Sequence, residues 1–198
     1  FSTGGAQDCI FENNQCNDGG GAIYISESDT NILDCEFTNN SAGFDGSGGG
    51  GIYADGVLSD VLIDGSTFED NSSAHLGGGI RLFDGIDGTI TNCSFTNDHA
   101  NIGGGAVATF QTGEVTMEDC TTTGCGGSFA AGAVTVSEAT VARLRRLEII
   151  GSYGLHGAGL SLANLTDAQV ASCRFHANQA TFTGGGARVF NCTGTGIV

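Results

Sequence analysis

The feature that most constrains this chain is a repeat of about 27 residues running along its length. Glycine clusters followed by an apolar residue recur as GGGAIYI (19–25), GGGGIYA (48–54), GGGIRL (77–82), GGGAVAT (103–109), GAVTV (132–136), GAGLSL (157–162) and GGGARV (184–189). The apolar residue falls at Ile23, Ile52, Ile80, Val107, Val134, Leu160 and Ala187, at intervals of 26 to 29 residues. Two positions on stand Ile25, Ala54, Leu82, Thr109, Val136, Leu162 and Val189. Between the two columns lie Tyr24, Tyr53, Arg81, Ala108, Thr135, Ser161 and Arg188. In–out–in alternation is the pattern of a strand with one buried face. Tyr53 and Arg81 are therefore expected on the outer surface, where replacing them costs little.

A second block repeats in step. Its anchor column is Phe11, Phe37, Phe68, Phe95, Thr122, Ile149 and Phe175. Two residues earlier stand Cys9, Cys35, Ser66, Cys93, Cys120, Leu147 and Cys173, and five residues earlier Ala6, Ile32, Ile63, Ile90, Met117, Leu144 and Val170. These columns are small or apolar and should face inward. The two positions between the last pair are mostly polar, so the chain is expected to bend there. Three residues after the anchor come Asn14, Asn40, Asn71, Asp98, Cys125, Ser152 and Asn178. Asparagine accepts a left-handed backbone and can bond to the same amide one coil above, so this column reads as a turn carrying a partial ladder. No single coil can bury its own face, but stacking aligns identical positions into a continuous core. The fold class that follows is all-β: a right-handed parallel β-helix of about seven coils, with residues 1–198 as one domain. The segment 139–150 comes near a helical period of 3.6 but fits the strand columns. The lack of Pro agrees, because strands bonded on both edges need every N–H.

The paired motifs resemble the repeats of chlamydial polymorphic outer membrane proteins. Phe-x-x-Asn stands at 11–14, 37–40, 68–71 and 175–178, and Gly-Gly-Ala followed by Ile or Val at 20–23 and 104–107. The resemblance implies a passenger-type surface stalk or adhesin, extracellular or at the cell surface. The membrane barrel of such proteins has no counterpart in these motifs, so direct membrane insertion does not carry over.

Net charge is −16, which excludes a nucleic-acid partner because phosphates demand a basic face. The charge is uneven: residues 1–120 hold 19 acids against Arg81, whereas 121–198 hold three acids against five Arg. Opposite polarity along a rod favours head-to-tail contact with copies of itself or with flanking coils. The chain opens on Phe1 in mid-pattern and stops at Val198 in mid-coil, and so reads as a segment of a longer chain or filament.

Enzymes also use this architecture, so catalytic patterns matter. Lyases of that kind need clustered carboxylates that hold Ca²⁺ beside a basic residue. Asp8, Asp34 and Asp119 share a column, but Gly65 and Asn92 interrupt it and Arg146 replaces the acid in its own coil. The nearest hydrolase-like turn is Gly154-Leu155-His156-Gly157, without an adjacent Asp pair. His75, His99, His156 and His176 lie in different coils; His75 and His99 could approach each other, yet two His make a poor metal site. Acidic turns at Asp84–Asp87 and Asp29 lack the period of calcium-binding β-rolls. The expectation is no catalytic residue, no metal and no cofactor. A carbohydrate-active enzyme and a glycan-binding module, with cell-surface glycans as partner, are the alternatives.

Eight Cys occur, five of them in the inward column. Adjacent-coil pairs Cys9/Cys35 and Cys93/Cys120 sit at a spacing that a disulfide can bridge, and are the disulfide candidates. The alternative is plain packing as small hydrophobes. Asn-x-Ser/Thr sequons stand at Asn39, Asn71, Asn92, Asn164 and Asn191, with Asn164 and Asn92 the best glycosylation candidates and Asn71 constrained by its turn.

Overall fold

A computed structural model describes residues 4–43 and 48–197, so Phe1 and Val198 lie outside the described residues. The chain winds as a right-handed parallel β-solenoid of about seven coils. Among the described residues, strands one coil apart pair in parallel to form four sheets. Typical members are Asp87–Thr91 in the first sheet, Ser94–Thr96 in the second, His99–Ala100 in the third and Val107–Phe110 in the fourth. Register follows the sequence columns: Phe11 pairs with Phe37, Phe68 with Phe95, and Ile52 with Ile80.

Each coil turns its corners with single left-handed residues. Between the first and second sheets these are Asp8, Asp34, Gly65, Asn92, Asp119, Arg146 and Ser172, with φ between 50° and 63°. This is the bend expected from two consecutive outward positions. The second corner corrects the sequence reading by one position. Its left-handed residues are Asn13, Asn39, Asp70, Asn97, Gly124, Gly151 and Ala177. The Asn14 column that follows them is not the turn itself; its side chains point inward and form the ladder. The third sheet was also missed, because its strands of mostly two residues, such as Ser72–Ser73, carry too short a pattern to read. The segment around 139–150 forms strands at Val141–Arg145 and Glu148–Ile150.

The core is a set of ladders. Phe11, Phe37, Phe68 and Phe95 stack ring on ring with centroids 4.7 to 4.8 Å apart and planes within 11°. Thr122 and Ile149 interrupt the stack before the half-buried Phe175. The glycine clusters exist because backbones approach closely. A Cβ on Gly50 would lie 2.1 Å from the Gly78 carbonyl oxygen and 2.6 Å from that of Ser72. One residue on, a Cβ on Gly51 would press on the Phe68 ring at 3.2 Å. The glycine motif and the phenylalanine motif are thus two halves of one contact.

Candidate functional site

The asparagine ladder is the most ordered polar feature of the interior. Asn14 Nδ2 donates to Asn40 Oδ1 at 2.9 Å, Asn40 Nδ2 to Asn71 Oδ1 at 3.0 Å, and Asn71 Nδ2 to Asp98 Oδ1 at 2.9 Å. Each acceptor oxygen also takes the backbone N–H of the preceding rung. Asn40, Asn71 and Asp98 are fully buried. Buried amides satisfied in this way lock the register of successive coils. Asn178 stands apart, accepting from the Ser152 N–H at 2.9 Å.

The cysteine column has a local task that does not call on the expected Cys9–Cys35 and Cys93–Cys120 bridges. All eight cysteines are free thiols. Cys9, Cys35, Cys93, Cys120 and Cys173 each donate Sγ–H to the carbonyl two residues earlier, at 3.1 to 3.3 Å. That bond spans the left-handed corner residue and adds a second donor to a carbonyl that, from Leu33 onward, already accepts the backbone N–H of the preceding coil's corner residue. Ser66 occupies the same column and makes the same bond at 3.2 Å. Cys93 and Cys120 are buried neighbours; the adjacent Cys120 thiol, and then burial, holds the Cys93 thiol well above the usual thiol range.

The sequons divide by burial. Asn71 is sealed in the ladder, with Nδ2 bonded to Phe37 and Asp98, so it presents no amide for glycosylation. Asn39, Asn92, Asn164 and Asn191 are exposed and left-handed. Three of these amides are engaged: Asn39 Nδ2 with Asn13, Asn92 Nδ2 with Asp64, and Asn191 Nδ2 with Asn164. Thr91 Oγ1 joins Asn92 on Asp64, and these two bonds hold the Asp64 carboxyl below the usual carboxylate range.

On the outside of the fourth sheet, Tyr53 and Arg81 point away from the core but are only 5 and 6% exposed. This overturns the expectation that they sit freely in solvent. The preceding glycine turn folds over them: a Cβ on Gly77 would come within 2.9 Å of Arg81 Cβ. The Arg81 guanidinium lies 5.2 Å from the Tyr53 ring centroid and 5.3 Å from that of Phe83. Burial, more than the Arg81 charge, lowers the His75 pKa.

His75 and His99 do not meet, because His99 is registered with Ser72 and the His75 carbonyl accepts the Ile102 N–H. Instead, Tyr153 leans over Gly126 so that its hydroxyl lies 3.1 Å from His99 Nδ1, with Ser128 Oγ 3.2 Å from Nε2. Gly126 permits this, since a Cβ there would strike the Tyr153 ring at 2.4 Å. His156 lies 2.8 Å from Thr183 Oγ1, and His176 is exposed. The acidic corner is partly neutralised by Arg146, which bonds Asp119 at 2.7 Å and also Glu118. Arg146 thereby holds the Asp119 carboxyl below its ordinary value. Asp87 and Asp29 accept the N–H groups of Glu114 and Asp60. Among the described residues, no three His, Cys, Asp or Glu side chains converge as a metal site.

Stacked parallel coils, inward aromatic and amide ladders and left-handed corners define a right-handed β-helix. The chain belongs to the family described as right handed beta helix region, which matches residues 2–143 and 76–198. It is also similar to the probable outer membrane protein pmp20 of Chlamydia pneumoniae, at 36% identity over 105 residues. That alignment covers 48% of this chain and 6% of the relative, so the chain spans a small fraction of that protein. No solved structure matches it.

Proposed function

We propose that this β-helix is a non-catalytic structural or adhesive section of an extracellular or cell-surface protein. The observation that carries this reading is where the chain places its polar chemistry. Ladder amides are spent inside, fixing coil to coil, and thiols on the local corners, while the surface acids are dispersed or matched by Arg146 and Asn92. The likeness to an outer membrane protein supports a surface location. In such a rod, copies or flanking coils stack head to tail, and Asn164, whose Oδ1 accepts from Asn191, is the preferred carrier of a glycan in a glycosylating host.

A glycan-binding role is the second reading. It is favoured by a groove of about 490 Å³ on the third sheet, lined by Gln15, Asn17, Ser41, Ser72 and Asn101, whose amides and hydroxyls suit sugar hydroxyls. The test is to coat beads with the chain and measure retention on cells and on a glycan array, alongside cleavage of acidic polysaccharides. Retention without cleavage is expected. Chain-dependent cleavage of such a polysaccharide would overturn the non-catalytic reading.

A further inference from the structure

We propose that Asp98 is a buried proton-binding site: its carboxyl stands in the amide ladder as a neutral acid in the place of an asparagine, and losing that proton loosens the coil stack at this rung.

The ladder supplies the argument. In three other rungs the amide nitrogen donates to the anchor-column carbonyl of the preceding coil: Asn40 Nδ2 to Phe11 at 2.8 Å, Asn71 Nδ2 to Phe37 at 2.9 Å and Asn178 Nδ2 to Ile149 at 2.9 Å. The equivalent acceptor for Asp98 is the Phe68 carbonyl. Asp98 Oδ1 already takes the two bonds that an asparagine oxygen takes, from Asn71 N and Nδ2, both at 2.9 Å. Oδ2 therefore occupies the amide position, and it is buried without a hydrogen-bond partner. As an ionised oxygen it would meet a carbonyl oxygen. As Oδ2–H it donates to that carbonyl and reproduces the rung.

The surroundings favour the neutral form. Asp98 is fully buried, and the charged groups that act on it, Asp70 and Glu69 of the preceding coil, are acids. From the next coil it faces the buried Cys125 thiol, itself pushed up by burial. His99, next in the chain, turns its ring outward to Ser128 and Tyr153. Burial raises the Asp98 carboxyl well above the usual carboxylate range, against the opposing bonds from Asn71. The unfolded chain releases this proton near pH 3.9, about the ordinary Asp value. The stabilisation is thus complete below that pH and is lost as pH rises through the higher folded-state value. Over that window one proton changes the unfolding constant by up to about tenfold per pH unit.

The test is denaturant unfolding of the natural chain and of Asp98→Asn between about pH 5 and 8, where the other carboxylates are common to both and cancel. Asp98→Asn donates the same bond without titrating. It should be the more stable form at about pH 7, with an unfolding constant that rises with pH less steeply, by up to about tenfold per unit. Carbon NMR of the side-chain carboxyls should show one aspartate of the folded natural chain still protonated at about pH 6, and that signal missing in Asp98→Asn. Equal pH slopes in the two proteins would overturn the proposal. So would a natural chain whose aspartates are all ionised by about pH 6, a measurement that decides the matter even if Asp98→Asn folds poorly.

Discussion

The contact between Gly51 and Phe68 tests how the two sequence motifs cooperate. Phe68 is essentially unexposed and stacked on both faces, against Phe37 at 4.7 Å and Phe95 at 4.8 Å. Phe68→Ala should cost about 3–5 kcal/mol, and the upper half of that range is expected, since coil spacing pins the two flanking rings and keeps them from closing the void. Loss of two ring stacks, each about 0.5–1.5 kcal/mol, is part of that figure. Gly51→Ala places a Cβ 3.2 Å from the Phe68 ring and 2.8 Å from the Gly79 carbonyl oxygen, and should cost about 1–3 kcal/mol. With the ring gone, the new methyl enters the void, so the double variant should recover at least about 1 kcal/mol of the summed losses. The remaining strain against Gly79 should persist. The chain already shows this exchange of volumes, with Ala106 and Ala133 standing where the anchors are Thr122 and Ile149. Ala22, half-buried in the first coil, keeps a methyl opposite Phe37. Urea unfolding of the two single variants and the double variant measures the coupling; additivity within about 0.5 kcal/mol would refute it.

Other outcomes follow from the same geometry. Tyr53→Ala should destabilise by about 2–4 kcal/mol in thermal unfolding, because a buried ring and its contact with Arg81 are both lost. A loss below about 0.5 kcal/mol would show that the outer column is free. The Asp64 carboxyl is held low by Thr91 and Asn92, so its contribution is present above the ordinary Asp value and lost as pH falls through its lower folded-state value; Asp64→Asn should flatten that acid limb in pH-dependent unfolding. In alkylation followed by mass spectrometry, the half-buried Cys9, Cys16, Cys173 and Cys192 should label first in the native protein. Buried Cys35, Cys93, Cys120 and Cys125 should label only on unfolding, to a total of eight, and a smaller total in denaturant would restore the disulfide pairing.

The architecture was legible because a parallel solenoid stacks equivalent positions on one another. A column of phenylalanines in sequence becomes a column of rings in space, and Asn14, Asn40 and Asn71 become bonded amides. What escaped reading has physical causes. Burial of Tyr53 and Arg81 depends on a glycine turn folding over them, and nothing in a period-two alternation reports an outer layer. The turn was misplaced by one residue because asparagine is adjacent to asparagine at 13–14 and 39–40, and only one of each pair is left-handed. The cysteines suggested bridges, and Ser66 in the same column was the clue to a second task there, that of a small donor at the corner. The meeting of His99, Ser128 and Tyr153 depends on the empty space above Gly126, a relation across three coils that no local motif carries.

The central claim, a structural section of a surface protein, is tested most directly by location. Antibodies raised against the folded chain should label intact cells of the source organism as strongly as permeabilised ones, and brief protease treatment of intact cells should remove the label. Labelling that appears only after permeabilisation would contradict the account.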